Sequence, residues 1–239
     1  MDSFGPEGAA GYDETLRGDE EHTVSFLADQ ARGGAALELA IGTGRIALPL
    51  AARGVRVDGI DLSSEMVAQL RAKPGGPDLR VVLGDMAEVP IDGEYRLIYL
   101  VFNTLFNLLT QDEQVRCFEN AARRLTDNGV FVVEGFTPGY LHRLRDNQYV
   151  DAERIEVARV KLDVGRHDPV AQLLDESHIH LSALGVRLFP VVCRYVWPSE
   201  LDLMARLAGL QLRERWGGWQ REPFAAASRN CVSVYEQVP

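Results

Sequence analysis

Short apolar segments alternate with helical segments from residue 35 to residue 135, and this alternation constrains the fold most strongly. Helical connections of this length join parallel strands through right-handed crossovers. The sequence therefore predicts an α/β fold with a doubly wound, mostly parallel sheet. The predicted strands are residues 35–41, 55–60, 80–83, 95–102 and 130–135, and the helices between them are residues 45–53, 64–72 and 112–125.

The pattern changes on both sides of this segment. Residues 20–32 fit an amphipathic helix with Asp19 as its N-cap. After Pro138, polar and apolar residues alternate, which predicts an antiparallel meander inserted after the fifth strand, with strands at residues 153–164, 172–182 and 187–196. A helix at 198–208 and strands at 210–216 and 231–236 would complete the sheet. We expect an N-terminal helical cap (1–34), a ligand-binding core (35–138), an antiparallel lid (139–197) and a closing helix with a strand pair (198–239).

Charge and hydropathy exclude several classes of protein. The chain carries 25 basic and 35 acidic side chains, a net charge of −10, which disfavours a nucleic-acid partner. No apolar run approaches the roughly 20 residues that cross a bilayer, and residues 1–20 lack the plan of a signal peptide. The three cysteines are widely separated and show no metal-ligand spacing. We expect a cytoplasmic protein with neither a metal centre nor a membrane partner.

A glycine turn separates the first predicted strand from the next helix, in the sequence Glu38-Leu39-Ala40-Ile41-Gly42-Thr43-Gly44-Arg45. Gly42 and Gly44 have no Cβ, so the backbone can turn sharply and a ligand can approach it. The N–H groups that open the helix suit an anionic group. An ordinary tight turn gives the same pattern, so this motif alone does not assign a ligand.

Acidic residues also follow the second and third predicted strands. Asp61 can accept hydrogen bonds from two ribose hydroxyls, and Asp85 can accept one from an adenine amine. Met66 and Met86 can pack on the adenine ring. Each acid taken alone can equally be a cap or a solvated turn residue. Because the carboxyl ends of parallel strands share one edge of the sheet, acids at successive strand ends predict a nucleoside site there.

From Glu38 to Gly135, these motifs resemble the class I S-adenosylmethionine-dependent methyltransferases, which have a Rossmann-like sheet. The resemblance implies S-adenosylmethionine as the cofactor and S-adenosylhomocysteine as the product. It implies that Gly42 and Gly44 lie under the methionine part of the cofactor. Glu38 would steady the glycine turn and the amino group of the cofactor.

The same resemblance assigns Asp61 to the ribose hydroxyls, and Asp85 with Met86 to the adenine. Ala40 stands where many relatives have a glycine, and alanine is small enough to keep the turn. The remaining positions expected to contact the cofactor are Tyr12, Ala40, Leu62, Met66, Val101 and Phe102.

The segment after the fourth strand faces the transferable methyl group in this family. Asn103, Phe106 and Asn107 are therefore expected to contact the acceptor, together with Trp219 from an aromatic segment near the C-terminus. Asn107 and Tyr12 are the predicted catalytic residues. The alternatives are helix capping for the two asparagines, core packing for Phe106 and Trp219, and an exposed loop position for Tyr12.

The general layout resembles small-molecule N-methyltransferases of bacterial natural-product pathways. Relatives that dimethylate amino sugars carry a histidine near the position of Asn107, so its absence leaves the acceptor open. A neutral amine attacks a sulfonium without first losing a proton, whereas a hydroxyl needs a base. Alignment of the reactants supplies about 7–11 kcal/mol, and a general base about 3–5 kcal/mol. We therefore expect a small-molecule acceptor, an amine in preference to a hydroxyl, and catalysis mainly by positioning.

Two other functions stay open at this point. Residues 42–47 satisfy the looser G-x-G-x-x-A pattern of an NAD(P)-dependent oxidoreductase, although Glu38 is a poor neighbour for a pyrophosphate. A non-catalytic cofactor-binding protein is the third reading. His178 and His180 share one face of a predicted strand and are expected to face solvent. The exposed edges of the meander are compatible with a homo-oligomer.

Overall fold

A computed structural model describes residues 12–14 and 18–238 of the chain. The rest of the predicted N-terminal cap, residues 1–11 and 15–17, lies outside the described residues. The strands, numbered along the chain, are β1 (Ala36–Leu39), β2 (Val57–Asp61), β3 (Arg80–Leu83), β4 (Tyr95–Leu100), β5 (Leu125–Phe136), β6 (Gln148–Ile155), β7 (Arg159–Asp168), β8 (Leu173–Ser182), β9 (Gly185–Arg194), β10 (Leu210–Trp216) and β11 (Asn230–Gln237). The α-helices are α1 (Glu20–Ala31), α2 (Ala47–Ala52), α3 (Ser64–Arg71), α4 (Gln111–Ala122) and α5 (Pro198–Leu207).

Seven strands form the central sheet, in the order β10-β11-β5-β4-β1-β2-β3. β1 to β5 run parallel, and β11 is antiparallel to both β5 and β10. Buried apolar side chains form one cluster on each side of this sheet. The predicted α/β class, with a mostly parallel sheet and an antiparallel addition, is confirmed.

Local hydrogen bonds explain where the helices begin. The Ser63 hydroxyl accepts from the backbone N–H of Met66 at the start of α3. Thr110 and Glu113 form a reciprocal capping box at the start of α4. Asp19 is the N-cap residue of α1, as predicted, although its side chain makes no capping bond. The helix predicted at 45–53 is also shorter, because the glycine turn continues to Ile46.

The second sheet is a four-stranded antiparallel meander in the order β6-β7-β8-β9. The prediction of a single strand over 153–164 is wrong, since a turn separates β6 from β7 and the backbone N–H of Glu156 donates to the carbonyl of Arg159. Exposed Ile155 precedes this turn and exposed Val157 lies within it, so together they imitate the alternation of a continuous strand. His178 and His180 share a face as predicted, but both are half-buried rather than directed to solvent.

A buried polar network fixes the second sheet to the core. The guanidinium of Arg194, at the end of β9, donates to Glu200 at 2.7 Å and to the side-chain oxygen of Gln114 at 2.5 Å. The amide nitrogen of Gln114 in turn donates to the Arg194 carbonyl at 2.9 Å. These bonds join the meander to α4 and α5 at once, because Gln114 lies in α4 and Glu200 in α5. No helix among the described residues is long and apolar enough to span a membrane.

Candidate active site

The turn after β1 has an unusual backbone at three positions. Ala40, Gly42 and Gly44 all have positive φ, at 57°, 56° and 76°. A Cβ at Gly42 would lie 3.3 Å from the Met66 methyl group, and one at Gly44 would lie 2.9 Å from Leu70. The turn therefore packs closely against α3. Positive φ at Ala40 also explains why glycine suits this position, since an alanine there is strained.

Glu38 is almost fully buried beneath this turn, with 3% of its surface exposed. The Tyr99 hydroxyl donates to its carboxylate at 3.0 Å, and the backbone N–H of Ala47 donates to it as well. Burial raises the pKa of Glu38 well above its usual value, and the nearby Asp61 raises it further. Glu38 thus links β1 to the start of α2 and stabilises the turn between them.

Asp61, at the end of β2, joins two loops of the same edge. Its carboxylate accepts from the backbone N–H of Gly42 at 2.6 Å and from that of Ser63 at 2.8 Å. Leu62, the next residue, leaves 77% of its surface exposed beside the turn. The Asp61 carbonyl accepts from Gly84 at 2.8 Å, which brings the ends of β2 and β3 together.

The residues predicted to surround an adenine lie along this edge. The Asp85 carboxylate accepts from the backbone N–H of Ala87 at 2.8 Å and is partly exposed. Met66 and Met86 are both buried. The structure therefore brings Gly42, Asp61 and Met66 together directly and places Asp85 on the adjacent strand end.

An N-terminal segment, Tyr12-Asp13, covers the glycine turn. The Asp13 carboxylate accepts from the Thr43 hydroxyl at 2.7 Å and pairs with the Lys73 ammonium at 2.6 Å, while Lys73 also donates to the Thr43 carbonyl. Burial alone would raise the pKa of Asp13, but its bonds to Lys73 and Thr43 lower it overall. The Arg45 guanidinium donates to the Tyr12 carbonyl and lies 4.5 Å above the Tyr12 ring. Sequence reasoning predicted Tyr12 but missed Asp13, Lys73 and Arg45.

The segment after β4 is held in a strained conformation. Phe102 and Asn103 have φ of 59° and 62°, a region that residues other than glycine rarely adopt. The backbone N–H of Phe102 donates to the buried carboxylate of Glu134, and that of Phe136 donates to the Asn103 side-chain oxygen at 2.7 Å. Sequence reasoning missed Glu134, although a single acid inside the apolar run of β5 is a signal for a buried carboxylate.

The predicted acceptor residues separate into two groups. Phe106 is buried with its ring 5.0 Å from that of Phe136, and Asn107 is exposed at the end of the 3-10 turn Thr104–Asn107. Asn103 occupies the position before this turn but makes no capping bond with its side chain. Trp219 is buried against Phe26, in the cluster on the opposite side of the sheet from Phe106. The structure does not bring Trp219 together with the other three.

The edge fits a nucleoside that carries positive charge. Val101, predicted to contact the cofactor, is buried just before the strained segment. The negative charge of Asp61 lies near Glu38 and raises its pKa. A cationic ligand group beside these two acids would therefore be stabilised, whereas a pyrophosphate would be repelled. Exposed Leu62 offers an apolar surface for a flat ring, and the turn leaves no room for a Cβ at Gly44. These features match a sulfonium nucleoside with an ammonium group.

Comparisons with known proteins agree with this geometry. Residues 36–129 match the family described as Methyltransferase domain. The solved structure of the CcbJ methyltransferase from Streptomyces caelestis is 40% identical, covers 99% of this chain and 98% of its own, and superposes with a TM-score of 0.93. A cypemycin N-terminal methyltransferase from Streptomyces sp is 25% identical over 86% of this chain and 84% of its own length. A dTDP-3-amino-3,6-dideoxy-alpha-D-glucopyranose N,N-dimethyltransferase from Streptomyces fradiae is 32% identical over 44% of this chain and 43% of its own length.

Proposed function

The chain belongs to the S-adenosylmethionine-dependent methyltransferases, and from that premise we propose that it transfers the methyl group to an amine of a small molecule. When bound, S-adenosylmethionine supplies a methyl group activated by a positively charged sulfur. The family membership replaces the oxidoreductase reading of the glycine turn. The proposal concerns the acceptor and the residues that position it.

The residues on the carboxyl edge of the sheet bind different parts of the cofactor. Gly42 and Gly44 give the backbone of the turn the approach that the methionine part needs. Glu38 lies beneath the turn, where a positively charged amino group would favour its ionised form against the burial that raises its pKa. Asp61 offers its remaining lone pairs to the ribose hydroxyls, and Asp85 accepts from the adenine amine.

Positioning accounts for the reaction better than general-base catalysis. An amine reacts as the free base, so the chain must align the nitrogen with the methyl group and exclude water. Asn107 is exposed after the strained segment, where its amide can bond to the acceptor. Tyr12, held by Arg45 over the glycine turn, covers the same edge. We assign Asn107 and Tyr12 to this alignment.

The observation that carries the choice of an amine is the set of relatives. The cypemycin enzyme is named for a terminal amine and the Streptomyces fradiae enzyme for an amino sugar. The similarity to the cypemycin enzyme extends over most of both chains, so it includes the second sheet as well as the core.

A methyl-transfer assay with matched acceptors tests the proposal. The protein is incubated with isotopically labelled S-adenosylmethionine and pairs of compounds that differ only in an amino or a hydroxyl group, such as glucosamine and glucose or tyramine and its alcohol analogue. We expect label on nitrogen in amino members, and a strong loss of rate in Asn107→Ala with unchanged affinity for S-adenosylhomocysteine. Label on the hydroxyl members alone contradicts the amine acceptor, and a parallel loss of affinity in Asn107→Ala makes that residue structural.

A further inference from the structure

The two faces of the second sheet have opposite chemistry. Leu174 on β8 and its partner Cys193 on β9 are buried in one apolar cluster of the core, so they mark the inner face. Because side chains alternate along a strand, the same face carries Lys161, Asp163 and His178 further from the core. An antiparallel sheet with one solvated face normally directs apolar residues inward and polar residues outward. In the second sheet, this order is reversed over much of its length.

The outer face is an almost uninterrupted apolar surface. The registers of the four strands place three rows of four paired residues on it, one residue from each strand. Every member of these described rows except Ser177 is apolar. The apolar rows are Ile155, Val160, Leu181 and Val186, then Ala152, Leu162, Ile179 and Leu188, and finally Val150, Val164, Ser177 and Pro190.

Many of these side chains are open to solvent in the single chain. Val150 and Ile155 on β6 leave 72% and 76% of their surfaces exposed, and Val186 and Leu188 on β9 leave 63% and 62%. Monomeric proteins rarely expose contiguous apolar patches of more than a few hundred Å², and larger patches mark surfaces that a partner covers. The apolar rows therefore indicate an interface.

The size of this face is sufficient for a dimer. β7, β8 and β9 are each 10 residues long. Four such strands, about 4.8 Å apart and rising about 3.3 Å per residue, present a face of about 600 Å². Two of these faces in contact would remove about 1,200 Å² from water, which reaches the lower limit for stable protein interfaces.

The charges on the outer face favour a second copy of the chain as the partner. The row next to the apolar rows contains Arg166 and Asp175, whose side chains pair with each other at 2.8 Å. The net charge of −10 disfavours an anionic lipid surface. A flat apolar face whose charges are already paired is complementary to itself, as the interface of a two-fold dimer requires.

The edges of the sheet are poorly suited to self-association by strand addition. The pairing of β6 with β7 shifts register between Ala152 and Arg154, and β9 contains Pro190, which has no backbone N–H. Irregularities and prolines of this kind protect edge strands from pairing with another chain. The apolar face is therefore a better contact surface than either edge.

We propose that the apolar rows of the second sheet dock onto the same rows of a second copy of this chain. The two meanders then stack as the halves of an eight-stranded sandwich, about 10 Å apart, around a two-fold axis. The apolar rows form the core of this sandwich. This inference does not depend on which acceptor the protein methylates.

Analytical ultracentrifugation of the full chain, from low nanomolar to high micromolar concentration, tests the proposal. We expect a reversible dimer of the 26.5 kDa chain. Leu188→Lys introduces one charge from each copy into the interface and is expected to raise the dimer dissociation constant about a hundredfold or more. Leu188→Thr removes apolar contacts without adding a charge and keeps the preference for a strand, so about a tenfold increase is expected.

Leu207→Lys is the matched control, because Leu207 is 68% exposed but ends α5, outside the second sheet. It is expected to dimerise like the wild type. Calorimetric affinity for S-adenosylhomocysteine is expected to stay unchanged in all three variants, which shows that each is folded. If Leu188→Lys fails to bind S-adenosylhomocysteine, Leu188→Thr alone decides.

Several outcomes would overturn the proposal. A wild-type chain that stays monomeric at high micromolar concentration would do so, as would a dimer that both Leu188 variants leave intact, because that dimer uses another surface. Equal loss of the dimer in Leu207→Lys would show that the effect is not specific to the apolar rows. A monomer that binds vesicles of uncharged phosphatidylcholine would assign the face to a lipid surface instead.

Discussion

Replacing Asp61 by alanine tests the geometry of the cofactor edge most directly. The carboxylate accepts two short hydrogen bonds, from the backbone N–H groups of Gly42 and Ser63, and is itself buried. Hydrogen bonds to a charged group contribute about 1.5–3 kcal/mol each, so losing both in Asp61→Ala is expected to lower the free energy of unfolding by about 3–6 kcal/mol. For a chain of this size, that corresponds to a fall in Tm of about 10 °C.

The same substitution removes the predicted acceptor for the ribose hydroxyls. We expect affinity for S-adenosylhomocysteine to fall by about 1–3 kcal/mol, which is about five- to 150-fold. Asp61→Asn keeps the volume and one carbonyl oxygen, but its amide nitrogen faces one of the two N–H groups. It is therefore expected to show a smaller loss of stability and a clear loss of affinity.

Calorimetric titration and thermal unfolding separate the two effects. Phe118→Ala, in the core between Phe131 and Tyr235, controls for general destabilisation at about 3–5 kcal/mol and is expected to keep cofactor affinity. Asp92→Ala removes a carboxylate that is 95% exposed and is expected to change stability by less than about 0.5 kcal/mol. If Asp61→Ala loses stability but binds S-adenosylhomocysteine as tightly as the wild type, Asp61 only shapes the turn. An unchanged Tm would refute the hydrogen-bond reasoning itself.

Three further tests, with their controls, probe the same region. Ala40→Gly is expected to raise the free energy of unfolding by about 0.5–1 kcal/mol, because the strain of positive φ that is relieved exceeds the entropy that glycine loses on folding. The control, Ala51→Gly inside α2, is expected to lower it by about 1 kcal/mol. Calorimetry compares the two variants, and a loss of stability in Ala40→Gly would contradict the strain at that position. The folded chain retains a proton on Glu38 above the unfolded pKa of 4.5, so wild-type stability is expected to fall as pH rises through that window, while Glu38→Gln lacks this slope. Urea unfolding of both proteins between about pH 5 and about pH 8 measures this slope. A difference in their free energy of unfolding that does not change with pH would contradict the prediction. Gly59→Ala would bring a Cβ within 2.4 Å of Ile41 and is expected to cost about 1–3 kcal/mol, with partial recovery in Gly59→Ala/Ile41→Ala.

Periodicity was sufficient to predict the central sheet, because its strands are short, buried and separated by breakers. β1, β2 and β4 are buried along almost their whole length, and β5 is buried from Gly129 to Gly135, as expected for parallel strands covered on both faces. The glycine turn was predictable for a related reason, since positive φ at Gly42 and Gly44 leaves few residue types that fit. Both signals lie within short segments of the chain, so a single sequence is enough to reveal them.

Contacts between distant segments could not be read from the sequence. Asp13 meets Thr43 and Lys73, each 30 or more positions away, and nothing in the spacing of these residues indicates it. Glu134 reaches the backbone of Phe102 only because β4 and β5 are adjacent. The burial of Trp219 against Phe26 has the same origin, because both belong to segments that converge only after folding.

The attachment of the meander through Arg194 has a consequence for how the second sheet can vary. Gln114 and Glu200 grip the base of β9 from two helices, whereas Glu176 and His178 stand further along the adjoining strand, away from that anchor. Exchanges at those outer positions therefore leave the anchoring bonds intact. A scaffold built in this way tolerates side-chain replacements on the outer strands of the second sheet, while the sheet edge that carries the glycine turn stays as it was.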